Sequence, residues 1–173
     1  MPEAYGWAGT VPYERNVIRV PSLAGTVPGD REPWGLYMPE DGRILLREDD
    51  GTVLWSGGFS EQDVYIHELG HACLDDWLRA ERGPVLGVVA CRELDEGPGL
   101  LVAAFGPGDL RSAAEEYESL RSSGKTDAWY GNTTDVSTFG EWFAESFRGH
   151  LLDEPVPPAM GRLLDSIEDS RVP

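Results

Sequence analysis

The sequence is poor in basic residues and in cysteine. Its 173 residues include 31 acidic but only 14 basic side chains, so the formal net charge is −17. Nucleic-acid binding normally requires a basic surface, and we therefore expect no nucleic-acid partner. We interpret the acidic surplus as a solubility feature, with steering of a cationic substrate as the alternative. Two cysteines, Cys73 and Cys91, are too few for a disulfide framework or a cysteine-built zinc site.

Long hydrophobic runs are also absent. No stretch reaches the roughly 18 consecutive apolar residues that a membrane-spanning helix needs, so we expect no membrane partner. Residues 1–20 lack the apolar centre of a secretory signal peptide, so we expect a cytoplasmic protein or export by a non-standard route. Lysine occurs once, at Lys125, which is typical of proteins from GC-rich bacterial genomes.

The chain is long enough to fold around a core. Because 40% of its residues are hydrophobic, we expect a single domain over residues 1–173. The part rich in glycine and proline, residues 1–33, is predicted to be irregular apart from a short strand at 16–20. A second strand is predicted at 34–38. Runs 43–47 and 52–55 flank an acidic turn and predict a hairpin.

Helical periodicity and chain breakers predict four helices, and with the strands they indicate an α+β fold. The predicted helices are 60–82, 109–122, 138–152 and 160–168. The first is bounded by a Ser60–Asp63 pair with capping-box spacing and by Gly83-Pro84. Gly70 inside it costs about 1 kcal/mol relative to alanine, which close approach of another backbone would explain. The apolar runs 84–90 and 100–105 predict a second hairpin or an extended loop.

Residues 67–71 read His-Glu-Leu-Gly-His, an HExxH motif. On a helix, positions i and i+4 share a face with Cβ atoms about 5–6 Å apart, so His67 and His71 are predicted to bind one metal ion. Glu68 is the next residue round the helix and is predicted to act on a metal-bound water. The chain has only three histidines, and two of them are in this motif.

A catalytic zinc site usually has three protein ligands and one open position, so a third ligand is needed. The metzincin pattern HExxHxxGxxH is excluded, because Leu74 and Trp77 occupy its glycine and third-histidine positions. His150, the remaining histidine, has no motif around it and is a weak candidate.

Glu141 is the strongest candidate for the third ligand. Glu141, Glu145 and Arg148 share one face of a predicted helix whose other face carries Trp142, Phe143 and Phe147. Glu145 is predicted to accept the free N–H of a metal-binding imidazole.

Other interpretations of these acidic residues stay open. Thr138 and Glu141 also have capping-box spacing, so Glu141 could simply close the helix start. Glu145 could be an exposed charge paired with Arg148, or itself the ligand. Asp75, one turn beyond His71, is either an acceptor for a histidine or a solvated charge.

The residues HELGHACLDD, a later tyrosine and EWFAESF together resemble zincin metallopeptidases of the gluzincin kind. They are most similar to the family of the anthrax lethal factor catalytic domain, over about residues 60–152. The resemblance implies a zincin-like domain, with a small N-terminal mixed or antiparallel sheet and an HExxH helix packed against a second ligand-bearing helix.

The same resemblance implies the site residues. His67, His71 and Glu141 would bind Zn²⁺, Glu68 would be the general base, and Glu145 would contact a ligand. Tyr130 would match the family tyrosine that stabilises the oxyanion, although its distance of eleven residues from Glu141 is longer than in the family.

A second resemblance gives a different third ligand. Residues 124–131 partly resemble the GTxDxxYG motif of aspzincins, in which the aspartate is a ligand. Asp127 is the corresponding residue here, and Tyr130 again lies near the metal. The threonine is displaced by one position, and the separation from HExxH is long.

The expected function is that of a zinc-dependent endopeptidase acting on a peptide or protein substrate. A metal-activated water would attack the peptide carbonyl while Glu68 accepts its proton. We expect the substrate to lie extended along an edge strand of the 43–56 hairpin. The alternatives are a non-proteolytic zinc enzyme acting on a small molecule and a catalytically silent binding module, although the intact Glu68 disfavours the latter.

Overall fold

The computed structural model describes residues 17–26, 32–48, 60–82, 108–123 and 138–170. These residues form three strands: β1 (Val17–Val20), β2 (Gly35–Met38) and β3 (Arg43–Arg47). They also form four helices: α1 (Glu61–Arg82), α2 (Asp109–Ser122), α3 (Phe139–Leu151) and α4 (Pro158–Ser170). The predicted α+β class is therefore confirmed. The runs 52–55, 84–90 and 100–105 lie outside the described residues.

The sheet has the order β1-β3-β2, with β3 parallel to β1 and antiparallel to β2. A tight turn joins β2 to β3, in which Gly42 has φ +69 and donates its N–H to the Met38 carbonyl at 2.8 Å. Both sides of β3 are thus paired. The predicted hairpin of 43–47 with 52–55 is therefore wrong, because β1 and β2 occupy the two sides of β3.

Helix α1 begins and ends where local chemistry predicts. The Asp63 N–H donates to Ser60 Oγ at 3.2 Å, and the Ser60 N–H donates to Asp63 Oδ2 at 2.7 Å. This reciprocal pair is the predicted capping box. The helix ends at Arg82, immediately before Gly83-Pro84.

Helices α1 and α3 cross at two small residues. A Cβ atom added to Gly70 would lie 2.6 Å from Ala144 Cα and 3.0 Å from the Ala144 carbonyl oxygen. The backbone approach that explains a glycine inside α1 is therefore confirmed. Around this crossing the predicted apolar stripe of α3 is buried, with Trp142 and Phe143 at 0% exposure and Phe147 at 2%.

Helices α2 and α4 pack against each other beside this pair. Helix α4 begins at Pro158, two residues earlier than predicted, and the preceding Pro157 has no side-chain oxygen to cap it. Glu116 of α2 takes that role by accepting the backbone N–H groups of Ala159 and Met160 at 2.9 and 3.2 Å. None of the helices in the described part of the chain is sufficiently long and apolar to cross a membrane.

Candidate metal centre

The α1–α3 crossing positions the side chains of the two motifs. His67 and His71 lie three residues before and one residue after Gly70. Glu141 and Glu145 have the same offsets from Ala144 on α3. Because residues three and four apart share a helix face, all four side chains project into the same region between the helices.

Three of these side chains converge on one point. The ligand atoms of His67, His71 and Glu141 all lie within 4.8 Å of one another. His67 Nε2 is 3.2 Å from Glu141 Oε2, and His71 Nε2 is 3.4 Å from Glu141 Oε1. The imidazole rings meet edge to face, with centroids 5.0 Å apart. The group is therefore close enough to bind a metal ion.

The chemistry of the donor atoms fits a cation. Glu145 Oε2 lies 3.2 Å from His67 Nδ1, where a carboxylate accepts an N–H. With the proton on Nδ1, His67 Nε2 presents a lone pair towards the carboxylate of Glu141. Two acceptor atoms that face each other at 3.2 Å need a proton or a metal ion between them.

The electrostatics of the group agree with this fit. Burial lowers the pKa of His67, but Glu141 and Glu145 outweigh it and raise the pKa to about 10. Burial raises the pKa of Glu141, whereas the two histidines hold it well below its ordinary value. The site thus favours positive charge at His67, which is what a bound cation supplies.

Glu68 lies on the side of α1 that faces the sheet. It is only 7% exposed, and burial raises the pKa of its carboxyl group above the ordinary value despite the two neighbouring histidines. A Cβ atom added to Gly35 would lie 2.7 Å from Glu68 Cγ and 2.8 Å from Oε1. The nearby Tyr37 backbone N–H acts in the opposite direction to burial and lowers the pKa of Glu68. Strand β2 therefore fixes Glu68 through its backbone.

Asp75 has partners that the sequence did not indicate. It is 2% exposed, so the interpretation as a solvated charge is wrong. Its Oδ2 accepts the Tyr37 hydroxyl at 2.7 Å and Arg79 Nε at 2.8 Å, while Arg79 also donates to the Pro39 carbonyl. These contacts join β2 to α1. The role of Asp75 as an acceptor for a histidine stays a prediction.

Tyr37 is the residue at this site that sequence reasoning missed. A tyrosine in a half-buried strand needs a partner for its hydroxyl, which is the one signal the sequence carried. No sequence spacing links it to Asp75, 38 residues away.

The capping and ligand interpretations of Glu141 are compatible. Its backbone N–H donates to Thr138 Oγ1 at 3.2 Å, so Thr138 caps α3. Its carboxylate oxygens lie next to His67 and His71. The backbone of Glu141 therefore takes part in the helix cap, while its carboxylate faces the two histidines.

The remaining candidates lie elsewhere. His150 Nε2 faces α4, at 3.8 Å from Asp165 Oδ1 and 4.0 Å from Glu168 Oε2. Asp127 and Tyr130 lie outside the described residues. Comparisons of this chain with protein-family models, with curated proteins and with solved structures found no match. The function proposed below rests on the two motifs and on the geometry of the His67–His71–Glu141 group.

Proposed function

We propose that the protein is a zinc-dependent metalloendopeptidase with a zincin-like fold, in which His67, His71 and Glu141 bind zinc. The observation that carries this proposal is the convergence of the HExxH histidines with Glu141. His67 and Glu141 are 74 residues apart in sequence and come from two helices. A small sheet beside the HExxH helix, with an antiparallel strand at its edge, also supports a zincin-like arrangement.

The donor set supports zinc as the metal. Two imidazole nitrogens and one carboxylate oxygen form a common ligand set of catalytic zinc sites, which leave one position open. The Glu141 side chain is 43% exposed, so the group is accessible from solvent. Zinc bound there would act as a Lewis acid that lowers the pKa of a water and polarises a carbonyl group.

Glu68 is the proposed general base. It would accept a proton from the attacking water and donate it to the leaving amine. Its burial suits both steps, because a raised pKa makes the carboxyl group a stronger base and stabilises its protonated form. Glu145 would keep the His67 proton on Nδ1, and Tyr130 would stabilise the oxyanion, as the family resemblance implies.

Within the described residues, one edge of β2 has no strand partner, and this edge is the proposed binding surface for an extended peptide. The Arg47 N–H donates to the Trp34 carbonyl at 2.9 Å, which makes these two residues a hydrogen-bonded pair. Since such pairs alternate along an antiparallel ladder, Gly35 and Tyr37 direct their backbone groups away from β3. The Tyr37 N–H on that side is near enough to Glu68 to lower its pKa, so a peptide added to β2 would pass beside the proposed base.

Metal content and peptide cleavage of three proteins test the proposal. We expect wild type to bind one zinc ion and to cleave members of a broad peptide library. Glu68→Gln should retain zinc and lose roughly 100-fold or more of the turnover. Glu141→Ala should lose zinc, whereas Glu115→Gln, which alters an exposed carboxylate of α2, should match wild type.

Two outcomes would contradict the proposal in different ways. Full metal content in Glu141→Ala would show that the ligand set is wrong. A wild-type protein that binds zinc but cleaves no peptide would exclude the endopeptidase and favour an enzyme acting on a small molecule.

A further inference from the structure

We propose that Arg148 is a positioning residue for the metal centre, which acts through Glu145 on His67. This inference rests on the proposed function only in taking His67 as a metal ligand. Arg148 does not belong to the HExxH motif or to the predicted ligand set, and its guanidinium lies behind Glu145.

The carboxylate of Glu145 divides its two oxygens between Arg148 and His67. Arg148 Nε and Nη2 each lie 2.8 Å from Glu145 Oε1. The other oxygen, Oε2, lies 3.2 Å from His67 Nδ1. Two N–H groups on Oε1 anchor that end of the carboxylate, which restricts the positions that Oε2 can take beside His67.

Arg148 is itself held from two further directions. Its Nη2 lies 3.0 Å from Glu154 Oε2 in the segment after α3, and its Nη1 lies 3.5 Å from Asp63 Oδ1 at the start of α1. Asp63 uses its other oxygen for the capping box with Ser60. The Arg148 side chain is only 13% exposed, so solvent screens these charges less than at an open surface.

The contacts form one chain from the first turn of α1 to the metal ligand. Asp63 and Glu154 hold Arg148, Arg148 orients Glu145, and Glu145 selects the His67 proton position that leaves Nε2 available. Loss of a partner that orients a ligand typically lowers metal affinity 10–100-fold. Arg148 contacts His67 only through Glu145. We therefore expect Arg148→Gln to weaken zinc binding roughly tenfold, at the lower end of that range.

A purely structural role makes a different prediction. In that case Arg148 would only tie α1 to α3, and its loss would lower the free energy of unfolding without changing zinc affinity. Arg47→Gln is a matched control, because Arg47 is 14% exposed and pairs with Glu32 at 3.2 Å in a part of the sheet that does not contact the histidines. It should lower stability and leave zinc affinity unchanged.

Zinc affinity, measured by competition with a chelator on the full chain, tests the inference without using catalysis. A loss of about tenfold in Arg148→Gln, with Arg47→Gln equal to wild type, would support it. We expect Arg148→Lys to fall between them, because an ammonium keeps the charge but lacks the planar fork. In the zinc-loaded protein, the NMR signal of the His67 Nδ1 proton should exchange faster with water in Arg148→Gln than in wild type.

Unchanged zinc affinity in a folded Arg148→Gln variant would overturn the inference while leaving the proposed function intact. If that variant does not fold, Arg148→Lys provides the test, and an affinity equal to wild type overturns the inference. A wild-type chain that binds no zinc would instead refute the proposed function, and this inference with it.

Discussion

Two helix pairs of this molecule use a buried or half-buried glutamate in opposite ways. Between α2 and α4, the Glu116 carboxylate accepts two backbone N–H groups of a helix start, so protein dipoles satisfy it. Between α1 and α3, one oxygen of Glu141 and one of Glu145 each lie 3.2 Å from a ring nitrogen of His67. The hydrogen bonds of the first pair need no added ion, whereas the contact between His67 and Glu141 in the second needs a proton or a metal ion between the two acceptor atoms.

The two helix pairs also differ in how closely their backbones approach each other. The α1–α3 crossing depends on Gly70 against Ala144, and this close approach brings the ligand atoms within 4.8 Å of one another. Helix α4 presents Leu163, Leu164 and Ile167 as buried side chains, and its Gly161 is not in close backbone contact. Small residues at a crossing therefore mark where polar side chains of two helices can meet.

Glycine-to-alanine substitutions in the two helix pairs should change the free energy of unfolding in opposite directions. This is the largest difference that we predict. The new Cβ in Gly70→Ala would meet the Ala144 backbone at 2.6 Å, so α1 and α3 must separate. We expect a loss of about 3 kcal/mol in the free energy of unfolding and a strong loss of zinc affinity.

Gly161→Ala is the matched control for this experiment. Its Cβ would meet Val156 Cγ2 at an ordinary 3.4 Å, and alanine favours a helix over glycine by about 0.5–1 kcal/mol. Chemical denaturation should therefore show equal or higher stability. Unfolding curves that coincide for the two variants would contradict the assigned role of the α1–α3 crossing.

The pH dependence of stability should differ between the metal-free and the metal-bound protein. The carboxylates raise the pKa of His67 from 6.5 to about 10 in the folded chain. A raised pKa contributes stability that is fully present below pH 6.5 and is lost as the pH rises to about 10. We expect the free energy of unfolding to fall over this range in chelator-treated protein.

Zinc should remove this dependence, because the metal ion then takes the place of the proton at His67. Denaturation series at several pH values, with zinc and with chelator, provide the measurement. A flat profile in the metal-free protein would contradict the charge assignment at His67, Glu141 and Glu145.

Gly35→Ala should disturb the proposed base, Glu68, and leave the proposed metal ligands in place. The new Cβ would lie 2.7 Å from both Glu68 Cγ and Val64 Cγ1, so the carboxylate must move away from β2. The histidines keep their own positions on α1. We expect about a tenfold loss of kcat, equivalent to roughly 1.4 kcal/mol, with little change in zinc affinity.

The double variant Gly35→Ala/Val64→Ala is the control for simple crowding. It removes the contact with Val64 but keeps the one with Glu68, so activity should stay low while stability recovers. Recovery of full activity would show that Gly35 matters for packing alone.

The smallest effect is expected at Glu116. Glu116→Ala removes the acceptor of two N–H groups at the start of α4, which should cost about 1 kcal/mol. Zinc affinity should be unchanged, because the residue lies in the helix pair that lacks the metal ligands. A zinc affinity that falls together with stability would show that the two helix pairs are not independent.

Residues that act locally were predictable from the sequence. The Ser60–Asp63 capping box, the Thr138 cap and the Gly83-Pro84 stop place the ends of α1 and the start of α3, because each depends on neighbours within a few positions. The HExxH motif and the helical spacing of Glu141 predicted the three residues that converge, whereas Asp127 and Tyr130 lie outside the described residues.

Contacts between residues far apart in the sequence could not be predicted from neighbouring positions. The parallel pairing of β1 with β3 joins segments that no local pattern links, and together with β2 it occupies the side of β3 on which the hairpin with 52–55 was predicted. The same holds for the hydrogen bond between Tyr37 and Asp75, in which a strand hydroxyl meets a helix carboxylate. Such contacts depend on how the elements pack, and a single sequence carries no direct signal of that.

The Gly70–Ala144 crossing also makes the site sensitive to helix register. The site residues His67 and His71 on α1, and Glu141 and Glu145 on α3, have the same offsets, minus three and plus one, from the crossing point on each helix. One residue of slippage turns a helix by about 100°, which would carry Glu141 away from both histidines. The apolar stripe of α3 alone permits several alignments of α3 on α1. Metal binding would stabilise only the alignment in which Glu141 faces both histidines, so a bound ion would favour the correctly packed helix pair.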